Sequence, residues 1–418
     1  MKVHRLMERV LNMQDMLTPL VDRDLKEMIL DAKDKGTSLE ILGHGTKRMI
    51  GRYSEKNVPL TMRRFSEVTL YEPSELVISA RAGTPIIEIE RELKGYDQHL
   101  PFEYLDFSKL FDTEPGYGTI GSLFATNFSG SRRLLKGSAR DHLIGVKAIN
   151  GRGESFSSGG RVMKNVAGYD LTKLMANSWG TLAVMTEVTI KLLPTPPSEC
   201  TLFLYGLEED IALEALRSAI ATPYEVSGAV HLNKNHAFPC LDGVTYVQDK
   251  AVTAIRLENT PKSLAYRSEK IRELLSAFGE LFYIDEPESK LFWQNMRQLV
   301  FLTNREDAIW RVSTSPQRAF QSARQIKKLV DSQISYDWGG GLLWISTRGV
   351  ADMGSSDIRR IIAQAGGHAT LIYPGDDATQ PVSPFHPLDP AHMQLTKGLK
   401  SMFDPAGVLN PGRMYDGV

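Results

Sequence analysis

The chain has 418 residues, 42% of them hydrophobic and 24% charged. That is more than one compact core usually takes, so two domains or one domain with a large insertion are expected. Lysine plus arginine number 49 against 50 acidic residues, a formal net charge of −1, which argues against a dedicated nucleic-acid binder.

The cysteines are Cys200 and Cys240, with no CxxC pair. A Cys-ligated zinc site or an iron–sulfur cluster within this chain is thereby excluded, and a reducing compartment fits. The nine histidines show no HxH or HExxH spacing, so no metal site is expected. No run approaches the roughly 18 apolar residues that span a bilayer. The N-terminal stretch MKVHRLMERVLNMQDML carries charges throughout, unlike a secretory signal. A cytoplasmic protein is expected, with a peripheral seat on a membrane complex left open.

The elements follow in chain order. A helix is expected over 19–34, with Thr18 as N-cap and Pro19 in the first turn. Val21, Leu25, Met28, Ile29 and Ala32 fall on one face, and Gly36 ends it. Ser38–Leu42 reads as a short strand running into Gly43-His44-Gly45-Thr46-Lys47. Leu76–Ala80 reads as a strand, and Thr84-Pro85 opens a second helix. Residues 100–130 are loop-rich. Leu143–Ile149 reads as a strand, with Asn150-Gly151 as a hairpin turn and Glu154–Phe156 as the return. A short helix covers Leu171–Ala176. Leu182–Leu192 alternates as a strand, and Pro194-Thr195-Pro196-Pro197 is the best linker candidate. Residues 201–375 then alternate strands (201–205, 251–257, 310–313, 342–345) with helices (213–221, 264–278, 316–330, 358–365). No internal repeat is visible. The tail from Phe403 to Arg413 has little periodicity and should pack back on an earlier element.

Four stretches suggest chemistry. The loop Gly43–Lys47 follows a strand, and its glycines allow several amides to converge on one point, which suits a phosphate or pyrophosphate. A plain turn is the alternative. Gly116-Tyr117-Gly118-Thr119-Ile120-Gly121 matches GxGxxG, with Asp141 downstream. It lacks the preceding apolar strand and the following long helix that a Rossmann fingerprint needs, so a second Gly-rich cofactor loop is the better reading. The run Ser131–Lys136 with Arg140 is basic; it suits a phosphate, a partner or a solvated face. Lys164–Asp170 gathers polar groups suited to a cofactor edge, with Asp170 equally readable as a helix N-cap. Arg256, Arg297 and Arg311 are each able to clamp a carboxylate, although pairing within the fold is the commoner fate.

Taken in order, Gly43–Lys47, Gly118–Gly121 with Asn127 and Gly130, Gly137 to Arg140-Asp141, Asn177–Leu182 and Asn410–Arg413 resemble the FAD-binding fold of the vanillyl-alcohol oxidase and p-cresol methylhydroxylase family. More narrowly, Gly160–Leu171, Tyr336–Gly340, Gly366–Thr370 and Asn410–Tyr415 resemble the FAD-binding E subunits of bacterial glycolate oxidase, also called glycolate dehydrogenase. The likeness runs from about residue 20 to the end. His44, Ser122 and Trp179 depart from the usual small residues.

The resemblance implies an α+β fold: a two-subdomain FAD-binding domain over 1–199, an inserted α+β cap over 200–384, and a return to the FAD domain over 385–418. It implies non-covalent FAD held by Leu42, Gly43, His44, Gly45, Thr46 and Lys47, by Gly118, Thr119, Ile120, Gly121 and Ser122, and by Thr126, Asn127 and Ser129. Arg140, Asp141, Lys164, Thr181, Val184 and Asn410 complete the set. It also implies oxidation of glycolate to glyoxylate by hydride transfer to flavin, with a sister FAD-binding subunit and an iron–sulfur subunit as partners. The sequence picks out no catalytic base. Two alternatives stand beside this: a non-catalytic flavin-fold partner needed for assembly or electron transfer, and a free-standing FAD-dependent D-2-hydroxy acid (D-lactate) dehydrogenase.

Overall fold

The computed structural model describes residues 16–52, 54, 56–160, 169–244, 249–376 and 382–418. The chain forms two compact units. One comprises residues 1–129, 138–195 and 387–418, the other residues 130–137 and 196–386. Residues 130–137 therefore pack with the second unit, although the chain on both sides of them belongs to the first.

The first unit has two cores. In the smaller, helix Asp22–Asp34 lays Leu25, Ile29 and Ala32 against the parallel pair Leu39–Leu42 and Val58–Thr61. The helix starts three residues later than Thr18-Pro19 suggests. Asp24 is the reason: its carboxylate reaches back to accept from the Leu20 and Val21 amides, so the first free donors are satisfied there. The C-terminal tail enters the same core, where Leu409 bridges Leu39 in parallel.

The larger core is built on a five-stranded antiparallel sheet. Its spatial order is Val68–Glu72, Val77–Arg81, Ala183–Lys191, Leu143–Asn150, Ser155–Gly159. The Asn150-Gly151 turn joins the last two strands; Asn150 Oδ1 accepts from the Arg152 and Glu154 amides. Ala183–Lys191 is buried on both faces except at Glu187 and Lys191, because it is the central strand of the sheet. Helices Ile86–Lys94 and Ile120–Thr126 pack their apolar residues into this core. The boundary between the units falls within the expected linker Pro194–Pro197, between Thr195 and Pro196, although the strand Leu193–Pro194 before it is not free. That strand pairs with Gln98–His99, and the Thr195 amide donates to Asp97.

The second unit is one eight-stranded antiparallel sheet. Its order is Leu281–Ile284, Ser198–Tyr205, Val252–Asn259, Val226–Leu232, Ser332–Asp337, Leu342–Thr347, Ala308–Ser313, His368–Tyr373. Apart from an extra helix Lys234–Cys240 in the first half, each half runs strand, helix, strand, strand, helix, strand, and the halves meet at the pairing His231–Tyr336. A repeat is thus present in the structure and absent from the sequence, because the two halves share a burial pattern and not residues. Helices Glu209–Ile220, Pro261–Leu275, Ala319–Leu329 and Ser355–Gln364 bury their apolar faces in this unit's core.

Candidate functional site

The site belongs wholly to the first unit and starts where strand Leu39–Leu42 ends. Thr61 Oγ1 on the partner strand donates to the Gly43 carbonyl at 2.7 Å, and the chain turns away at Gly45, whose φ is +78°. Only glycine adopts that angle without strain. At Gly43 the constraint is space: a Cβ there would stand 2.2 Å from Thr119 Oγ1. Among the described residues, the amides of His44, Gly45, Thr46 and Lys47 donate to no protein acceptor, whereas the Arg48 and Ile50 amides close turns onto Gly45 and Lys47. The Lys47 side chain is partly exposed, but its ammonium lies buried, meets only the Ser122 hydroxyl, at 3.3 Å, and forms no ion pair among the described residues. Burial pushes its pKa down to about 8, with Asp106 pulling the other way.

The facing wall comes from the GxGxxG segment, in a use its pattern did not foretell. The Gly118 and Gly116 carbonyls accept from the Ile86 and Ile87 amides, closing the N-terminus of helix Ile86–Lys94. Thr119 caps the next short helix through Ser122 N, and Gly121 packs so closely that a Cβ would meet Ala82 at 2.7 Å. The C-terminal tail closes the remaining side. Asn410 accepts from the Ile41 amide at 2.8 Å and donates to the Trp179 carbonyl at 2.7 Å. Arg413 donates to the carbonyls of Arg48, at 2.9 Å, and Ile50, at 2.5 Å.

These walls line one open cavity. Of the residues expected at a cofactor, Leu42, Gly43, Gly45, Thr46, Lys47, Thr119, Gly121, Ser122, Thr126, Val184 and Asn410 line it. Others do not. His44 turns outward to the Tyr117 carbonyl at 3.0 Å. Gly118 lies behind Lys47, and Ile120 belongs to the sheet core. Asn127 accepts from the Arg140 amide; Asp141 accepts from Ser138 N and Oγ, capping its own turn. The Arg140 guanidinium donates to the Lys173 carbonyl, and the Thr181 carbonyl accepts from Lys400. Ser129 is buried with its hydroxyl unpartnered among the described residues. Lys164 lies outside the described residues. Asp170 is a helix N-cap, accepting from Lys173 N.

The cavity also takes Ile41, Arg48, Met62, Ala82, Ala125, Trp179, Gly180, Ala183, Met185 and Arg413. Trp179-Gly180 and Arg413 stood in runs already singled out but had no role assigned. Met62 and Ala82 follow strand ends, and nothing in their local sequence marks them.

The donor set fits an elongated dinucleotide: four unspent amides and a buried ammonium at one end for phosphate, an apolar wall of Ala82, Ala183 and Met185 beyond. Comparison with known proteins agrees. Residues 16–159 match the FAD binding domain model. The chain has the fold of 4-ethylphenol oxidase from Gulosibacter chungangensis, with a TM-score of 0.69 at 14% identity over 96% of this chain and 89% of that one. It superposes on p-cresol methylhydroxylase with a TM-score of 0.67 at 12% identity, over 96% and 88%. Fold and site together are those of a protein with an FAD-binding domain and the p-cresol methylhydroxylase fold. In sequence, the chain is 35% identical over 94% of its length to glycolate oxidase subunit GlcE of Escherichia coli (strain K12), covering 96% of that protein. It is 27% identical to glycolate oxidase subunit GlcD of Bacillus subtilis (strain 168), over 71% of this chain and 68% of that one. The chain belongs to the family of the glycolate oxidase subunit GlcE.

Proposed function

We propose that this chain is the FAD-binding subunit of a complex that oxidises glycolate, a two-carbon 2-hydroxy acid, to glyoxylate. The observation that carries the reading is the cavity: a phosphate-ready loop and an apolar trough assembled by a chain of the GlcE family. FAD supplies the two-electron acceptor for the hydride on the substrate's Cα. The chain's own residues bind and orient it. The amides of His44 to Lys47 and the Lys47 ammonium hold the pyrophosphate, Thr119 and Ser122 stand beside it, and Val184 and Asn410 fix the far wall. The cofactor is non-covalent, because no histidine or cysteine lines the cavity and Cys200 and Cys240 are buried in the second unit.

Two buried, separated cysteines hold no iron–sulfur relay, and among the described residues no cluster of histidine, cysteine or acidic side chains is able to hold a metal. Onward electron transfer therefore belongs to an iron–sulfur subunit, with a sister FAD-binding subunit beside it. No described helix is long and apolar enough to cross a membrane. In this reading the chain is cytoplasmic, and any membrane contact is made through the complex.

The test is spectroscopic. The purified chain, alone and with its partner subunits, should carry oxidised flavin that bleaches when glycolate is added without oxygen. A chain without flavin sinks the cofactor assignment. Flavin in the assembled complex that stays oxidised in excess glycolate sinks the substrate.

A further inference from the structure

A second cavity lies wholly within the second unit, at one end of its sheet. Strands Ala308–Ser313 and Ser332–Asp337 begin there and Leu342–Thr347 finishes there. Helix Lys234–Cys240 and the single turn Val300–Leu302 supply the facing wall. The cavity measures about 390 Å³, inside the range of small-molecule sites. None of the residues assigned to the flavin lines it.

Ile334, Tyr336, Leu343 and Ile345 enter the helix-packed core, so strand alternation turns Ser335 and Ser346 to the opposite face of the sheet. The buried His236 ring meets both hydroxyls. Its Nδ1 lies 2.8 Å from Ser335 Oγ and 3.0 Å from Asn233 Nδ2, and its Nε2 lies 3.4 Å from Ser346 Oγ. Asn233 fixes the tautomer. Its Oδ1 accepts from the Asn235 and His236 amides, and its Nδ2 also donates to the Ile334 carbonyl. An N–H therefore faces His236 Nδ1, and the ring hydrogen sits on Nε2. Burial pushes the pKa of this histidine down to about 4, so the ring is neutral at pH 7. Nε2 to Ser346 Oγ is longer than a well-made N–H···O bond, which leaves a donor and a hydroxyl on the cavity floor with capacity for a ligand. Phe301, its ring 5.7 Å from that of His236, adds an apolar face.

The rim decides the charge of the ligand. Its cation, Arg348, is paired with Asp307 at 2.7 Å and with Glu306 at 3.5 Å. Asp331 also lines the rim and forms no ion pair among the described residues, so an anion would meet repulsion. The amides of Asn235, Asn304 and Gln333 and the hydroxyl of Ser332 each donate and accept. A ligand that answers them must do both at several points and carry no net negative charge, which describes an array of hydroxyls.

We propose that this cavity binds an uncharged polyol or monosaccharide, with one hydroxyl seated between His236 Nε2 and Ser346 Oγ and the carbon skeleton against Phe301. Flavin binding and glycolate oxidation play no part in this site.

Glycerol, D-glucose and myo-inositol are the probes. Ligand-observed saturation-transfer NMR on the full-length chain should show saturable binding of at least one of them. Ser346→Ala removes the floor hydroxyl and should weaken that binding by about three- to tenfold, the loss of one hydrogen bond. Gln333→Ala should weaken it too; that side chain is exposed, so the variant tests the site even if Ser346→Ala fails to fold. Gln321→Ala removes the same amide from an exposed position on helix Ala319–Leu329 and should bind as the parent does. Acetate and methylammonium should fail to displace the probe. A parent chain that binds none of the three overturns the proposal. So does unchanged affinity in a folded Ser346→Ala or in Gln333→Ala, an equal loss in Gln321→Ala, or displacement by either ion at the concentration of the probe.

Discussion

Lys47 is the residue on which the proposed flavin binding turns. A buried ammonium with a hydroxyl neighbour has lost most of its hydration without gaining a counter-charge, and its lowered pKa records that loss. A pyrophosphate restores the missing partner, so Lys47→Met should raise the FAD dissociation constant by roughly tenfold or more. The pH dependence follows from the direction of the shift. Below about pH 8 the lysine of the empty site is charged and the phosphate gains its full attraction. As pH rises through about 8 the empty site loses its proton, and binding must take one up again. Flavin fluorescence titrations at pH 7 and pH 9 should show weaker binding at the higher pH in the parent and a flat profile in Lys47→Met. A parent with a flat profile would remove Lys47 from the phosphate site.

Element by element, the tail matters most. Helix Pro390–Phe403 is largely exposed, yet its Lys400 is buried. The Lys400 ammonium reaches Asp404 and the carbonyls of Thr181 and Leu409, each at 2.7 Å. Asp404 in turn accepts from the Val408 and Leu409 amides. This cluster fixes the turn that delivers Asn410 and Arg413 to the cavity. Removing one member of a buried pair strands the other's charge, so Lys400→Met should cost about 3–5 kcal/mol of stability, read from the urea midpoint. A loss below about 1 kcal/mol would mean that the pair behaves like an exposed one. The sequence hinted at none of this, because the helix has no clear apolar stripe and Lys400 is an ordinary lysine in isolation. The Gly43–Lys47 loop is the reverse case. Its glycine spacing follows from local backbone geometry, so its anion-binding shape was legible before any fold was known.

Over the whole molecule, the second unit carries two histidines kept neutral by burial. His231 meets Thr253 Oγ1 at 3.0 Å and His236 meets Ser335 Oγ at 2.8 Å, and desolvation pushes both pKa values down to about 4. An unfolded histidine titrates near pH 6.5. Between pH 6.5 and 4 the unfolded chain therefore binds protons that the folded chain refuses. Stability is whole above that window and falls as pH drops through it. By pH 5 the loss should reach about 2 kcal/mol per histidine. Urea midpoints at pH 7 and pH 5 measure it, and a His231→Gln, His236→Gln variant should show a shallower fall. Equal falls in parent and variant would place the acid sensitivity elsewhere.

The sequence by itself determined the glycine turns of the Gly43–Lys47 loop, the Asn150-Gly151 hairpin, four of the five strands in the first unit's larger sheet and four of the eight in the second unit's. It also excluded a cysteine-held relay. Each of these follows from a residue's own backbone freedom, from periodicity over a few neighbours, or from a simple count. Only the tertiary structure decided which glycines line the cavity and which cap a helix, as Gly116 and Gly118 do through their carbonyls. It also decided that Asn410 and Arg413 close a cavity begun near residue 41, and that the exposed Arg133 lies over the Trp338 ring. Those pairings join residues up to about 370 positions apart. Contacts at such separations are selected by the packing of whole elements and leave no periodic trace in the stretches they connect.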